Sequence, residues 1–177
     1  PGARYAWLGW MGVGNGSYTG PTRAASITVT DQITQTASWK KEYELAMSTN
    51  VGSVSPGSGW HEEGADVEIS ASAPDLGANA RYTWMGWTGE GTGSYTGSSN
   101  PVTVTASAPI TQTATWQHEY LLTIQANVGD VTPATGWQSG GAQVRIEATP
   151  PVEGSGERYV FAGWTGEGTG AYTGPDN

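Results

Sequence analysis

The sequence repeats itself at a constant spacing of 77 residues. The dipeptide Arg-Tyr marks the period, because it starts at Arg4, at Arg81 and at Arg158, and both differences equal 77. No gap is needed to align the copies. Solenoid repeats are shorter, roughly 20 to 50 residues, so each copy is predicted to be a small domain. Residues and chemistry that matter to the module are expected to recur in every copy.

The residues that join one copy to the next do not have the composition of a flexible linker. Polar and apolar residues alternate through it, with one face formed by Ala37, Trp39, Lys41, Tyr43, Leu45 and Met47. A flexible linker is rich in Gly, Ser or Pro, and residues 39–43 contain none of these. We predict that residues 1–41 are the C-terminal part of one repeat, 42–118 a complete repeat and 119–177 the N-terminal part of the next. The repeats are expected to form a stiff linear array.

The two incomplete repeats overlap in the positions that they cover. Residues 1–23 occupy the same repeat positions as residues 155–177. Two explanations stay open: the sequence is an excerpt of a longer protein, or separate chains complete each other's domains by head-to-tail strand donation, a form of β-augmentation. In both cases the expected partner is a neighbouring copy of the repeat itself.

Charge and composition limit the other partners. The chain has 7 Lys and Arg against 16 Asp and Glu, a net charge of −9. Nucleic acids and anionic membranes attract basic patches, so neither is an expected partner. No apolar run approaches the ~18 residues of a membrane helix, and no membrane insertion is expected. Charged residues make up 13 % of the chain, with no Cys. This polar, weakly charged composition favours an extracellular or cell-surface location.

Short segments of alternating polarity predict an all-β fold. The alternation is clearest in residues 25–30, 67–71, 102–106 and 144–148. Gly- and Pro-bearing turns separate these segments, and no window fits an amphipathic helix. The predicted architecture is a tandem series of small β domains, sandwich-like or β-grasp-like.

The aromatic residues are held in register. All nine Trp, all eight Tyr and the single Phe fall on seven repeat positions. A small domain buries little surface, so most aromatics are expected in the core. The predicted core residues are Trp7, Trp10, Trp39, Tyr43, Trp84, Trp87, Trp116, Tyr120 and Trp164. The aromatics of Gly-rich loops are candidates for stacking on sugar rings or for domain contacts, namely Trp60, Trp137, Tyr18, Tyr95 and Tyr172.

Residue types that carry chemistry do not recur. Glu62 and Glu63 form a carboxylate pair of the glycosidase kind, but neither is acidic in the next copy. His61 and His118 occupy unrelated repeat positions, so no catalytic triad or metal site can be assembled in each copy. We therefore expect no catalytic residue, no metal, no cofactor and no enzymatic activity.

A few charges do recur, and they suggest an ion pair. Arg4 returns as Arg81 and Arg158, and Glu42 returns as Glu119. We expect an Arg–Glu pair that links neighbouring strands or domains.

One segment fits a modification motif. Asn15-Gly16-Ser17 matches the N-glycosylation sequon, making Asn15 a possible acceptor. The other copies carry Thr in place of Asn15. Chance is therefore the favoured explanation of this motif.

The motifs resemble those of a known family. An aromatic-x-Gly-Trp-x-Gly motif occurs at residues 7–12, 84–89 and 161–166, followed each time by Ser/Ala-Tyr-Thr-Gly. The chain resembles an extracellular repeat domain of bacteria and archaea related to the internalin-type B-repeat, and the Ser-Tyr-Thr-Gly extension looks like archaeal versions. The resemblance implies small β domains used as stalks, spacers or adhesive modules, without catalytic residues.

Two functions follow as hypotheses. The first is a structural repeat module of an extracellular filament, stalk or surface protein that supplies length and rigidity. The alternative is a carbohydrate-binding or adhesive module, with cell-surface glycans as partners of the loop aromatics.

Overall fold

The computed structural model describes residues 2–176, which contain strands and no helix. The described strands are β1 (Ala3–Val13), β2 (Thr34–Thr49), β3 (Ser53–Ser55), β4 (Gly59–Glu62), β5 (Asp66–Ser72), β6 (Ala80–Glu90), β7 (Val102–Thr105), β8 (Ile110–Leu122), β9 (Asp130–Thr132), β10 (Gly136–Ser139) and β11 (Glu147–Thr149). The all-β prediction is confirmed.

The chain forms two compact units. The first contains the residues up to Pro74 together with Trp84–Trp116, and the second contains Asp75–Thr83 together with the residues from Gln117 onward. Two of the three boundaries therefore fall inside β6 and β8, and the third lies between β5 and β6.

Strand β2 organises the first unit. It is 16 residues long and has different partners along its length. Its residues 34–43 pair antiparallel with β1, residues 42–45 pair antiparallel with β4, and residues 45–49 pair parallel with β8. A second sheet has the strand order β3-β5-β7 and is antiparallel.

The core of the first unit lies within residues 42–118, the predicted complete repeat. Its cluster of buried side chains comes from β2, β5, β6, β7 and β8, and so joins both sheets. Alternation along each strand places every second side chain on this buried face. The cluster consists of Leu45, Ile69, Trp87, Val104, Ile110 and Ala114.

The predicted core aromatics differ in burial. Trp87 and Tyr43 are buried, while Trp7, Trp10, Trp84, Trp116 and Trp164 are half-buried. Trp39 and Tyr120 are exposed, so placing them in the core is wrong for this chain.

Trp39 is 48 % exposed, although its ring packs edge-on against Trp7 with 4.9 Å between the ring centroids. Among the described residues, positions 34–40 of β2 pair with β1 alone, so this part of the strand has a neighbour on one side only. The counterpart Trp116 lies on β8, where the Asn50 side chain donates to its carbonyl at 2.8 Å and accepts from its N–H at 2.9 Å.

Tyr120 is 51 % exposed, whereas its counterpart Tyr43 is only 8 % exposed. The Tyr43 hydroxyl donates to Glu63 at 3.1 Å. The residue equivalent to Glu63 is Gly140, which has no side chain to cover the Tyr120 ring. The change from Glu63 to Gly140 therefore leaves the Tyr120 ring exposed, although both copies have Tyr at this position.

Of the four segments of alternating polarity, two form the predicted strands and two do not. Residues 67–71 and 102–105 lie in β5 and β7, which pair with each other. Residues 25–30 form no strand, and of residues 144–148 only Glu147 and Ala148 do, as part of β11. Alternation is a local property, whereas a strand also needs a paired neighbour, and neither residues 25–30 nor residues 144–146 are paired among the described strands.

In the second unit, the described residues include two short antiparallel pairings besides the pairing of β6 with β8. Strand β10 pairs with residues 119–122 of β8, and β9 pairs with β11. The first pairing is the counterpart of β4 on β2 in the first unit.

Candidate functional site at the joint between repeats

Three recurring residues meet where the complete repeat begins. Arg4 on β1 lies opposite Glu42 on β2, and its Nε donates a hydrogen bond to Glu42 Oε2 at 2.7 Å. The guanidinium carbon lies 4.4 Å from the ring centroid of Trp60 on β4, within the range of a cation–π interaction. Arg4 belongs to the preceding repeat of the sequence, so this group, which we call the first joint cluster, ties two repeats together.

The same arrangement occurs one period later. Arg81 Nε donates to Glu119 Oε2 at 2.7 Å, and its guanidinium carbon lies 4.3 Å from the ring centroid of Trp137. We call Arg81, Glu119 and Trp137 the second joint cluster. The predicted Arg–Glu pair between neighbouring strands is confirmed at both positions.

Each carboxylate in the joint clusters has a second donor, and this donor differs between copies. Glu42 accepts from Lys40 Nζ at 2.8 Å, whereas Glu119 accepts from Thr83 Oγ1 at 2.7 Å. The hydrogen bonds of Lys40 and Arg4 lower the pKa of the Glu42 carboxyl. The hydrogen bonds of Thr83 and Arg81 likewise lower the pKa of Glu119. Both carboxylates are therefore held in the charged form.

The sequence predicts Trp60 and Trp137 as loop aromatics that contact sugars or a neighbouring domain, yet they lie in β4 and β10 with one ring face toward a guanidinium group. Their arginine partners are not predicted, although the Trp and the Arg residues recur with the same period. Sugar stacking on these two rings stays a prediction.

The three loop tyrosines hold their own loops closed. Each hydroxyl accepts a hydrogen bond from the backbone N–H four residues ahead: from Thr22 to Tyr18 at 3.3 Å, from Ser99 to Tyr95 at 3.1 Å and from Asp176 to Tyr172 at 3.4 Å. Each loop is also bridged to the motif tryptophan, as Trp10–Gly20, Trp87–Gly97 and Trp164–Gly174. These contacts give the recurring Tyr a local structural role, and sugar stacking on them stays a prediction.

The remaining predictions concern metal binding, membrane insertion and glycosylation. Within residues 2–176, no group of acidic, His or Cys side chains is arranged to hold a metal ion. None of the described elements is a helix of the length and apolarity that would cross a membrane. Asn15 lies exposed in the turn that follows β1. Its glycosylation stays a prediction.

The fold and the recurring clusters define a protein built from tandem small β domains. The model of the divergent InlB B-repeat domain family matches residues 43–119 and 120–177, more than half of the chain. The chain belongs to this family, and the match confirms the resemblance to the internalin-type B-repeat. The family is one of structural repeats and is not a known enzyme family. Its archaeal character stays a prediction. No curated protein and no solved structure matches the chain.

Proposed function

We propose that the chain is a structural module of an extracellular filament, stalk or surface protein, in which tandem repeats supply length and rigidity. The observation that carries this proposal is the continuity of β2. One strand pairs with β1 of the preceding repeat through residues 34–43, and with β8 of the complete repeat through residues 45–49. The joint is therefore a hydrogen-bonded strand.

Bending at this joint disrupts several interactions at once. Each ladder hydrogen bond contributes about 0.5–1.5 kcal/mol, and strands lie on both sides of residues 42 and 43. The first joint cluster stabilises the same place, because Arg4 on β1 contacts both Glu42 on β2 and Trp60 on β4. These interactions oppose rotation of one repeat against the next.

Family membership and composition support a surface location. The divergent InlB B-repeat is a tandem repeat domain, and the chain carries two matches in succession. Its net charge of −9 and its lack of Cys suit an exposed module that depends neither on disulfides nor on a metal.

Electron paramagnetic resonance distances test the rigidity of the joint. The chain has no Cys, so Met11→Cys and Glu68→Cys supply two unique attachment points for spin labels. Both residues are exposed, one on β1 and one on β5. We expect a narrow distance distribution, because β2 is hydrogen-bonded to β1 and shares the buried core cluster with β5.

The matched control inserts Gly-Ser-Gly-Ser between Lys40 and Lys41. This linker behaves as a flexible coil and is expected to broaden the distribution several-fold. Near-ultraviolet circular dichroism of the buried Trp87 checks that the complete repeat stays folded. A chain without the insertion that gives an equally broad distribution contradicts the proposal.

A further inference from the structure

Strands β2 and β8 carry the chain into and out of the complete repeat. Strand β2 begins before residue 42, and β8 continues past residue 118. Inside the repeat the two strands are neighbours, and residues 45–49 pair in parallel with residues 110–114. Tension along the chain therefore pulls β2 toward its N-terminal end and β8 toward its C-terminal end, which are opposite ends of this ladder.

The direction of this load decides how the ladder breaks. The hydrogen bonds of a parallel ladder are evenly spaced along the two strands. Strands that are pulled in opposite directions along their own axes have to slide past each other, so all of these bonds are stretched together. Strands that are pulled apart from one end lose the bonds one at a time. Forced unfolding depends on the rate at which the barrier is crossed, and the simultaneous rupture of several bonds raises that barrier.

Side chains hold β2 on both of its edges in this region. On the edge that faces β8, the Asn50 side chain makes two hydrogen bonds to the Trp116 backbone, at 2.8 and 2.9 Å. On the other edge, the Met47 N–H donates to Ser58 Oγ at 2.9 Å. Sliding of β2 along its axis therefore breaks side-chain hydrogen bonds as well as those of the ladder.

The ladder is protected from water on its inner face. Leu45, Ile110 and Ala114 are buried in the central cluster. A ladder bond that is stretched there has no water at hand to replace the lost partner, and an unpaired buried group is costly. On the outer face, the hydroxyl oxygens of Ser48 and Thr113 lie 2.9 Å apart, so a side-chain hydrogen bond also crosses the ladder.

The residues that build the ladder recur with the period of the chain. Residues 33–39 repeat the sequence of residues 110–116 with a single change, from Thr to Ser. Asn50 returns as Asn127. The repeat thus keeps both the strand sequence of β8 and the side chain that fastens β2 to it.

We propose that the complete repeat bears tension along the chain through the paired segments of β2 and β8, closed by the hydrogen bonds of Asn50 to Trp116. The first and the last strand of the repeat are the two that tension loads, and they are joined directly. The inference goes beyond the proposed function. Rigidity concerns bending at the joint, whereas tensile strength concerns rupture inside the repeat, and a stiff joint does not prevent that rupture.

Single-molecule force spectroscopy in two pulling directions tests the proposal. The chain has no Cys, so pairs of introduced Cys serve as handles at exposed positions. Thr36→Cys with Thr123→Cys loads β2 and β8 from opposite ends, whereas Ser53→Cys with Thr115→Cys pulls at one end of the ladder.

The lengthwise pair, Thr36→Cys with Thr123→Cys, is expected to give the higher rupture force at equal loading rate, because it stretches the whole ladder together. The rupture is recognised by the length that it releases, at most about 3.3–3.6 Å for each residue between the handles. Equal rupture forces in the two directions overturn the proposal.

Two matched variants test the contribution of Asn50. Asn50→Ala is expected to shorten the lifetime of the complete repeat under constant lengthwise force by about 5- to 150-fold, because two hydrogen bonds are lost from the rupturing contact. Asn100→Ala is the control, since Asn100 makes two hydrogen bonds of the same kind to the Ala71 backbone, at 2.9 and 2.8 Å, away from β2 and β8. This control is expected to leave the lifetime nearly unchanged, although urea unfolding should show similar losses of stability for both variants. Equal shortening by both variants overturns the proposal.

The chain with Gly-Ser-Gly-Ser between Lys40 and Lys41 separates tensile strength from rigidity. The insertion lies outside the paired residues 45–49, so it is expected to leave the lengthwise rupture force unchanged while it broadens the spin-label distances. Asn50→Ala is expected to do the reverse, with a lower rupture force and narrow spin-label distances. An insertion that lowers the rupture force as much as Asn50→Ala does would show that the ladder is not the part that bears the load. The two proposals therefore fail separately.

Discussion

In both joint clusters the Glu carboxylate is paired with two hydrogen-bond donors, although one of the donors differs between the copies. The Arg and the Trp are the same in both copies, and so is the acceptor Glu, but the second donor changes from Lys40 to Thr83. A carboxylate removed from water needs hydrogen-bond donors, and either donor meets this need. The repeat therefore keeps the pairing of this carboxylate, while the residue that provides the second hydrogen bond can be charged or neutral.

Removing the charge of Glu42 tests this pairing. Hydrogen bonds from Lys40 and Arg4 lower the pKa of Glu42 in the folded chain from its ordinary value of 4.5. The folded chain thus binds this proton less readily than the unfolded chain, and the stabilisation is present above pH 4.5. It is lost as the pH falls through the lowered pKa. Glu42→Gln is expected to lower the melting temperature at pH 7 but not in strong acid.

Thermal unfolding between neutral and strongly acidic pH measures this difference. Glu68→Gln removes an exposed carboxylate from β5 and controls for the change in net charge. A gap between Glu42→Gln and the unmodified chain that stays constant with pH would show that the ion pair contributes nothing.

At the scale of elements, a bulge and a side-chain clamp shape the strands. The register of β1 on β2 shifts between Trp7 and Gly9, and Gly9 has a φ of +143°. Gly86 is its counterpart in β6, with a φ of +122°. A Cβ on Gly86 would lie 2.8 Å from the Gly97 carbonyl oxygen. Glycine is therefore required where the motif strand passes close to its loop.

Gly86→Ala is expected to destabilise the complete repeat by about 1–3 kcal/mol through backbone strain, with the close carbonyl adding to this loss. Gly64→Ala is the matched control, because Gly64 also has a positive φ, +83°, but no atom lies within 4 Å of a Cβ placed there. Urea unfolding followed by Trp fluorescence measures both variants. Equal losses would show that the close approach to Gly97 contributes nothing.

The clamp of Asn50 on Trp116 holds the end of β2 against β8. Two hydrogen bonds join them, and each is worth about 0.5–1.5 kcal/mol. Asn50→Ala is expected to reduce the free energy of unfolding of the complete repeat by about 1–3 kcal/mol. Asn127→Ala is the control within the same chain, since it removes the equivalent residue outside that repeat. A loss of similar size for both would contradict the clamp.

The sequence predicts individual strands better than it predicts which strands pair with each other. Period-two alternation is local, so it indicates β5 and β7, but the same pattern in residues 25–30 forms no strand because pairing depends on a distant segment. Parallel pairing of β2 with β8 leaves no local signal either. The Arg–Glu pair was predictable because both residues recur. Trp60 is predicted as a sugar-stacking or domain-contact residue, but Arg4 as the partner of its ring is not, although both residues recur.

At the scale of the whole molecule, the repeat keeps its apolar core residues while most of its charges change. The apolar residues of β2 and β5 have counterparts in residues 119–149, and those of β7 and β8 have counterparts in residues 3–41. The net charge of −9 acts against this apolar packing, because repulsion between like charges destabilises a compact chain.

Salt is therefore expected to raise the stability of the folded chain. Raising the ionic strength from 0.01 M to 0.15 M shortens the Debye length from about 30 Å to about 8 Å, which screens the repulsion among the excess acidic side chains. Thermal unfolding at pH 7 should give a higher melting temperature at the higher ionic strength. A melting temperature that falls with salt would mean that ion pairs such as Arg4–Glu42 contribute more to stability than the net repulsion takes away.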